Sequence, residues 1–217
     1  MKTSKIIISS LLSLMFLASC SDDTIIGSGR LVTETRDVSD FTSISSEGVF
    51  EINIKESETQ SVEVTADDNI IHNVKTTVSG KELSLYLKGD SYERITLQSN
   101  LEVVGLNGIS NTGVGNINAV GVNNEGEFRV YNSGTADIMI NGESTDLIIM
   151  NEGTGDFNGF DFEVKSCEIE NVGTGDIEVN CSESLDITIT GSGDVYYKGH
   201  PTINVKITGS GKVVDAN

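Results

Sequence analysis

Four aspartates, Asp137, Asp156, Asp176 and Asp194, recur at intervals of 19, 20 and 18 residues, each directly behind a Gly-x-Gly or Gly-x-Ala element. If successive copies stack as strands, their carboxylates form a column with a spacing of about 4.8 Å. Two such charges repel by about 0.9 kcal/mol in bulk water, and by more near a protein surface. A divalent cation such as Ca²⁺ relieves that repulsion and takes oxygen ligands. The other use is local: each carboxylate accepts from the free N–H groups of the corner and stays solvated. The Gly-x-Gly-Asp wording resembles nonapeptide calcium repeats, but the period here is about twice theirs.

Cys167 and Cys181 lie symmetrically about Thr174 and share one strand parity. A bond between them closes a 15-residue loop, worth about 3 kcal/mol in the chain-entropy model. Packed sheets are about 10 Å apart, which is too far for a disulfide unless the coil pinches there. A disulfide and two buried thiols are therefore both open readings. His72 and His200 are the only histidines, each read as a loop or surface residue, and no catalytic residue or cofactor is assigned. The Gly-x-Gly elements lead into no helix, so they do not read as phosphate cradles. Tryptophan is absent and the tyrosines are scattered, with Tyr196 outward, which leaves little stacking surface for a glycan.

The amino terminus carries a different chemistry. A basic start with Lys2 and Lys5 precedes an apolar run from Ile6 to Leu17, too short for a comfortable membrane span. Leu17-Ala18-Ser19-Cys20 then matches the bacterial lipobox. The match implies a lipoprotein signal peptide over residues 1–19, cleavage before Cys20 and acylation of that cysteine. Several acyl chains on one residue anchor stably, at about 0.8 kcal/mol per buried methylene. Residues 20–29, with Asp22, Asp23 and Gly27-Ser28-Gly29, read as a flexible acidic tether. The acidic pair behind Cys20 resembles a Bacteroidetes surface-export signal.

The net charge of the 217-residue chain is −19, and loss of Lys2 and Lys5 makes it more negative. Nucleic acid and anionic lipid headgroups repel such a surface. The expected partners are therefore the membrane, through the anchor, and an unknown protein or glycan.

Positioning the aspartates requires a repeating scaffold, and the sequence contains one. Gly113, Gly134, Gly153, Gly173, Gly191 and Gly209 are spaced by 21, 19, 20, 18 and 18 residues. A period near 20 in a β-rich chain marks a solenoid. Side chains alternate faces along a strand. Phe128, Val130, Asn132, Gly134, Ala136 and Ile138 share one parity, as do Cys167, Ile169, Asn171, Gly173, Gly175 and Ile177. The apolar residues and the glycines therefore face inward, at corners with no room for a side chain. The aspartates fall on the outward parity. Asn111, Asn132, Asn151 and Asn171 fall inward, where a buried amide needs partners. Stacked asparagines supply them as a ladder that ends where Ile189 and Ile207 replace Asn.

The sequence thus predicts an all-β, right-handed parallel β-helix, with regular Gly-corner rungs of about 18–21 residues over 101–214. Residues 30–100 read as hairpins or irregular early rungs that cap the first coil, with one short helical turn after Asp67 capped by an aspartate. Residues 30–214 form one domain. The last rung, Ile203 to Val214, has an unpaired edge, either guarded by the charges of Lys206 and Lys212 or paired with another molecule in a homo-oligomer.

Several ordered motifs, Phe41-Thr-Ser-Ile44, Gly48-Val-Phe-Glu-Ile-Asn-Ile54, Thr65-Ala-Asp-Asp-Asn-Ile70, Val78-Ser-Gly-Lys-Glu-Leu83 and the repeated Gly-Ser-Gly-Asp corners, resemble the "head GIN" domain family of auto-transporter adhesin heads. The resemblance covers roughly residues 29 to 214 and implies a right-handed β-helix and an adhesin role, without catalytic residues to carry over. Asn116 stands at the Asp position of the first copy, which departs from the pattern. The expected function is a non-enzymatic, lipid-anchored outer-membrane protein, exposed at the cell surface, that presents a rigid acidic face for adhesion or scaffolding. A glycan-binding or glycan-active β-helix and a self-associating structural envelope protein are the alternatives.

Overall fold

The computed structural model describes residues 24–89 and 91–217. About 65% of the chain is strand, and the stacked parallel strands form a β-solenoid of about five turns. The early strands are β1 (Ile25–Ile26), β2 (Leu31–Thr35), β3 (Ser43–Glu47), β4 (Glu51–Glu56), β5 (Ser61–Asp67), β6 (Val74–Ser79), β7 (Glu82–Leu87), β8 (Tyr92–Glu93) and β9 (Leu97–Val103). Then come β10 (Gly108–Asn111), β11 (Asn116–Asn132), β12 (Asp137–Asn151), β13 (Phe157–Asn171), β14 (Ile177–Ile189), β15 (Val195–Lys198), β16 (Thr202–Ile207) and β17 (Val213–Asp215).

Each long strand from β11 to β14 bends midway through a bulge, so that one strand serves two sides of the coil. The half before the bend stacks in the order β17-β15-β14-β13-β12-β11-β4-β9, all parallel. The half after it stacks as β16-β14-β13-β12-β11-β10-β3-β7, also parallel. The glycine corners join the two sides. Ile117, Ile138, Phe157, Ile177 and Val195 stand in register as one buried column, and Val130, Ile149, Ile169 and Ile187 as another. One rung alone could not bury these side chains; the stack does. Near the bend, Phe128 and Phe162 meet edge to face with centroids 5.4 Å apart.

The amino-terminal part is irregular in a specific way. β3 and β4 form a rung that lies between the β7/β9 rung and the β10/β11 rung, although β7 and β9 come later in the chain. The connection from β9 to β10 must pass this inserted rung. It is held by Glu56, whose carboxylate accepts from the backbone N–H groups of Gly105 and Leu106. The alternation around residues 50–64 fits a hairpin, but β4 and β5 do not pair, because β9 lies between them. The hairpin expected around Gly80-Lys81 does form: β6 and β7 are antiparallel, and Gly80 and Lys81 both have positive φ, at 59° and 72°. That is the twist a two-residue turn requires.

Antiparallel β6, β5 and β2 close this end of the coil over buried Phe41, Ile70, Ile71 and Val74. The short helical turn is a 3₁₀ turn at Ile71–Asn73 without a side-chain cap. Asp67 has another task. It is buried, and its carboxylate accepts from the N–H groups of Gly29 at 2.6 Å and Thr96 at 2.8 Å. The segment expected to be a tether is therefore docked from Ile25 onward. β1 pairs with β8, and Ser28 bonds to Asn69 and Asp68. Cys20 and the expected signal peptide over residues 1–19 lie outside the described residues.

Candidate functional site

The glycine corner is the one feature repeated at every turn, and two hydrogen-bond ladders run through it. Inside, Asn111 donates through Nδ2 to Asn132 at 2.9 Å, Asn132 to Asn151 at 3.3 Å, and Asn151 to Asn171 at 3.1 Å. Asn171 ends the series by donating to the carbonyls of Gly175 and Gly193 at 3.0 and 3.3 Å, because Ile189 stands above it. Ser46 occupies the same column below Asn111 and is also buried. Every amide in the run has a partner, which a buried polar group needs.

The repeated glycines are necessary for a reason more specific than inward crowding. A Cβ on Gly175 would fall on the carbonyl oxygen of Gly155 one rung away; Gly134, Gly153, Gly173, Gly191 and Gly209 meet the preceding corner glycine in the same way. The obstruction is thus the backbone of the neighbouring rung rather than the core.

Outside, the second ladder is made by the aspartates. Asp137 Oδ1 accepts from the backbone N–H of Asp156 at 2.9 Å, Asp156 from Asp176 at 2.8 Å, and Asp176 from Asp194 at 2.7 Å. Asp194 accepts from Lys212 at 2.8 Å. One oxygen of each carboxylate therefore ties two rungs together. Thr135, Thr154, Thr174, Ser192 and Ser210 stand exposed beside this column, each with its N–H bonded to the corner glycine one rung away.

The column's charge reaches its neighbours. Burial pushes the Glu178 carboxyl up; Lys198 opposes that rise, while Asp156 and Asp176 add to it. The Tyr196 hydroxyl is pushed up mainly by Asp176. Among the described residues no group of three or more His, Cys, Asp or Glu side chains is arranged to hold a metal ion. The carboxylates thus have a structural use that needs no cation.

The histidines lie at opposite ends of the coil, whereas the two cysteines are neighbours. His72 lies at the closed end of the coil and His200 beside the last rungs. Cys167 and Cys181 are both buried free thiols. Cys167 is in register with Leu147 and Leu185, whereas Cys181 is in register with Val164 at the bend. The Cys181 thiol donates to the carbonyls of Lys165 and Ser184 at 3.2 and 3.0 Å. Burial, followed by the neighbouring Cys181, holds the Cys167 thiol well above the usual thiol range. Two polar anchors, Asp67 and Glu56, escape the sequence reading, because their partners at Gly29, Thr96 and Gly105 become neighbours only through long-range topology.

A sequence profile described as "Putative auto-transporter adhesin, head GIN domain" matches residues 40–201. The chain belongs to this head GIN family. No curated protein matches it in sequence. Among solved structures, a "putative adhesin" from Bacteroides fragilis NCTC 9343 is 22% identical with a TM-score of 0.71, covering 88% of this chain and 99% of that one. A "putative adhesin" from Parabacteroides merdae ATCC 43184 is 22% identical with a TM-score of 0.51, covering 90% and 100%. A "putative lipid binding protein" from Parabacteroides distasonis ATCC 8503 is 21% identical with a TM-score of 0.50, covering 89% and 100%. At these identities the likeness is one of fold. Among the described residues no helix is long and apolar enough to cross a membrane.

Proposed function

We propose that this head GIN protein is a lipid-anchored adhesin or surface scaffold of the cell envelope that presents a rigid acidic face and performs no catalysis. The observation that carries the proposal is the outward aspartate ladder. Asp137, Asp156, Asp176 and Asp194 are each fixed by the amide one rung on. Negative charge is thereby held at a set spacing on a backbone that cannot easily rearrange. Rigid presentation lowers the ordering cost of binding, as in other preorganised surfaces. An anchor at Cys20 lies five residues before Ile25, which docks at the closed end of the coil. The remaining rungs then project away from the membrane, and the net charge of −19 disfavours nucleic acid as a partner.

The test uses cells that carry the full chain. External protease releases the protein from intact cells, and adhesion to host or bacterial surfaces falls when all four aspartates are changed to Asn. An Asp137→Asn, Asp156→Asn, Asp176→Asn, Asp194→Asn variant keeps a carbonyl acceptor at each rung and loses only the charge. Resistance to protease until lysis, or undiminished adhesion by the variant, overturns the proposal.

A further inference from the structure

The two ends of the coil are finished differently. The amino-terminal end is closed by antiparallel strands over buried apolar residues. At the other end, among the described residues, β16 pairs with β14 alone, and its second edge has no partner. The inward-parity residues of β16 remain exposed: Ile203 at 37%, Val205 at 41% and Ile207 at 43%. A solenoid rung with nothing over it is usually finished with a polar outer face; this rung shows the apolar column of the core instead.

A second copy of the chain fits this end poorly. In the aspartate ladder, the residue that would accept the amide of a further rung is Lys212, which has no acceptor to offer. In the inner ladder the asparagine is replaced by Ile189 and Ile207. Two such ends placed together also oppose lysine to lysine. Residues 195–217 carry Lys198, Lys206 and Lys212 against Asp215 alone, in a chain with 14 Lys and Arg against 33 Asp and Glu. This is a locally cationic edge on an acidic molecule. Lysine on an edge strand repels self-pairing, and the same charge attracts an acidic strand.

We propose that the open edge of β16 receives an extended acidic segment of another polypeptide, added as one more strand, with alternate apolar side chains over Ile203, Val205 and Ile207 and acidic ones toward Lys206 and Lys212. Main-chain hydrogen bonds to the free edge provide the pairing, and the apolar positions set the register. The proposal stands whether or not the protein is an adhesin.

The test is fluorescence anisotropy of the protein without its signal peptide, using a labelled nine-residue peptide of alternating valine and glutamate. A valine–lysine peptide and a version methylated on alternate amide nitrogens are the controls. Binding is expected in the range of about 0.1 to 1 mM, as suits a single added strand. It weakens about tenfold or more in Lys206→Glu/Lys212→Glu and in Val205→Asp, and is lost with both control peptides. Val205 is exposed enough for Val205→Asp to be expected to fold, and circular dichroism checks that it does. Three results overturn the proposal. One is no binding by about 1 mM. Another is equal binding of the methylated peptide, which would mark mere attraction of polyanions, acidic polysaccharides included. The last is a concentration-dependent dimer in sedimentation without peptide, which would make a second copy the occupant. None of these readouts depends on cell adhesion, so failure here leaves the adhesin reading to its own experiment.

Discussion

At Gly175 the corner leaves no volume for even a methyl group, since the Cβ would overlap the Gly155 carbonyl and press on the Asn151 amide. Gly175→Val therefore destabilises by on the order of 3 kcal/mol or more, read as a lowered Tm with loss of the β-sheet circular dichroism signal. Thr174→Val, one residue away and exposed, changes stability by less than about 0.5 kcal/mol. Ala136 shows the limit of the rule: it is buried in the second glycine column and is the next smallest residue. The inward parity of the glycines is legible in the sequence because it follows from counting by two. That the neighbouring rung, and not the core, excludes their side chains is not legible, because parity does not describe contacts along the stack. Cys167 offers a prediction in pH. Its folded thiol holds its proton above the usual range because of burial, whereas an unfolded thiol ionises near about pH 8.5. Stability is then complete below that pH and falls as pH rises above it, because the unfolded chain binds fewer protons. Cys167→Val flattens the fall in Tm between about pH 7.5 and 9.5.

The asparagine ladder behaves as one element. Asn151 takes a hydrogen bond from Asn132 and gives one to Asn171. Asn151→Leu leaves the side-chain oxygen of Asn171 buried without its donor, whereas Asn132 keeps the carbonyls of Ala136 and Gly155 at 3.3 and 3.5 Å; the cost is about 1 to 3 kcal/mol in chemical denaturation. The ladder from Asn111 to Asn171 and its end at Ile189 can be read from the sequence, since the four amides share one parity and one period. Ser46 at its foot cannot. Its run, Ser43-Ile44-Ser45-Ser46, leads into Gly48, but Phe50 stands where the repeating corner has its second small residue, and its place depends on β3 lying beside β10. The same cause hides the non-pairing of β4 and β5. A turn between two alternating segments is a local signal, whereas the insertion of β9 between them is a long-range one. The aspartate column was legible as a column, with two uses left open, because sequence spacing does not tell whether a carboxylate turns toward an amide or a cation.

For the whole molecule, 33 acidic residues on a coil of about five turns mean that self-repulsion opposes compactness. Raising NaCl from about 10 mM to about 500 mM shortens the Debye length from about 30 Å to below about 5 Å, and is expected to raise Tm by several degrees. CaCl₂ at matched ionic strength raises it no further if the amide ladder is the full use of the aspartates; an extra rise would reveal a bound cation. The order of rungs carries one more consequence. Because β3 and β4 lie between strands that follow them in the chain, their rung has no partner on either side until β7 and β9, and then β10 and β11 as far as Val120, are in place. From β12 onward, by contrast, each rung leans only on the one before it in the chain, so a truncation from the far end removes whole rungs without breaking the early ones.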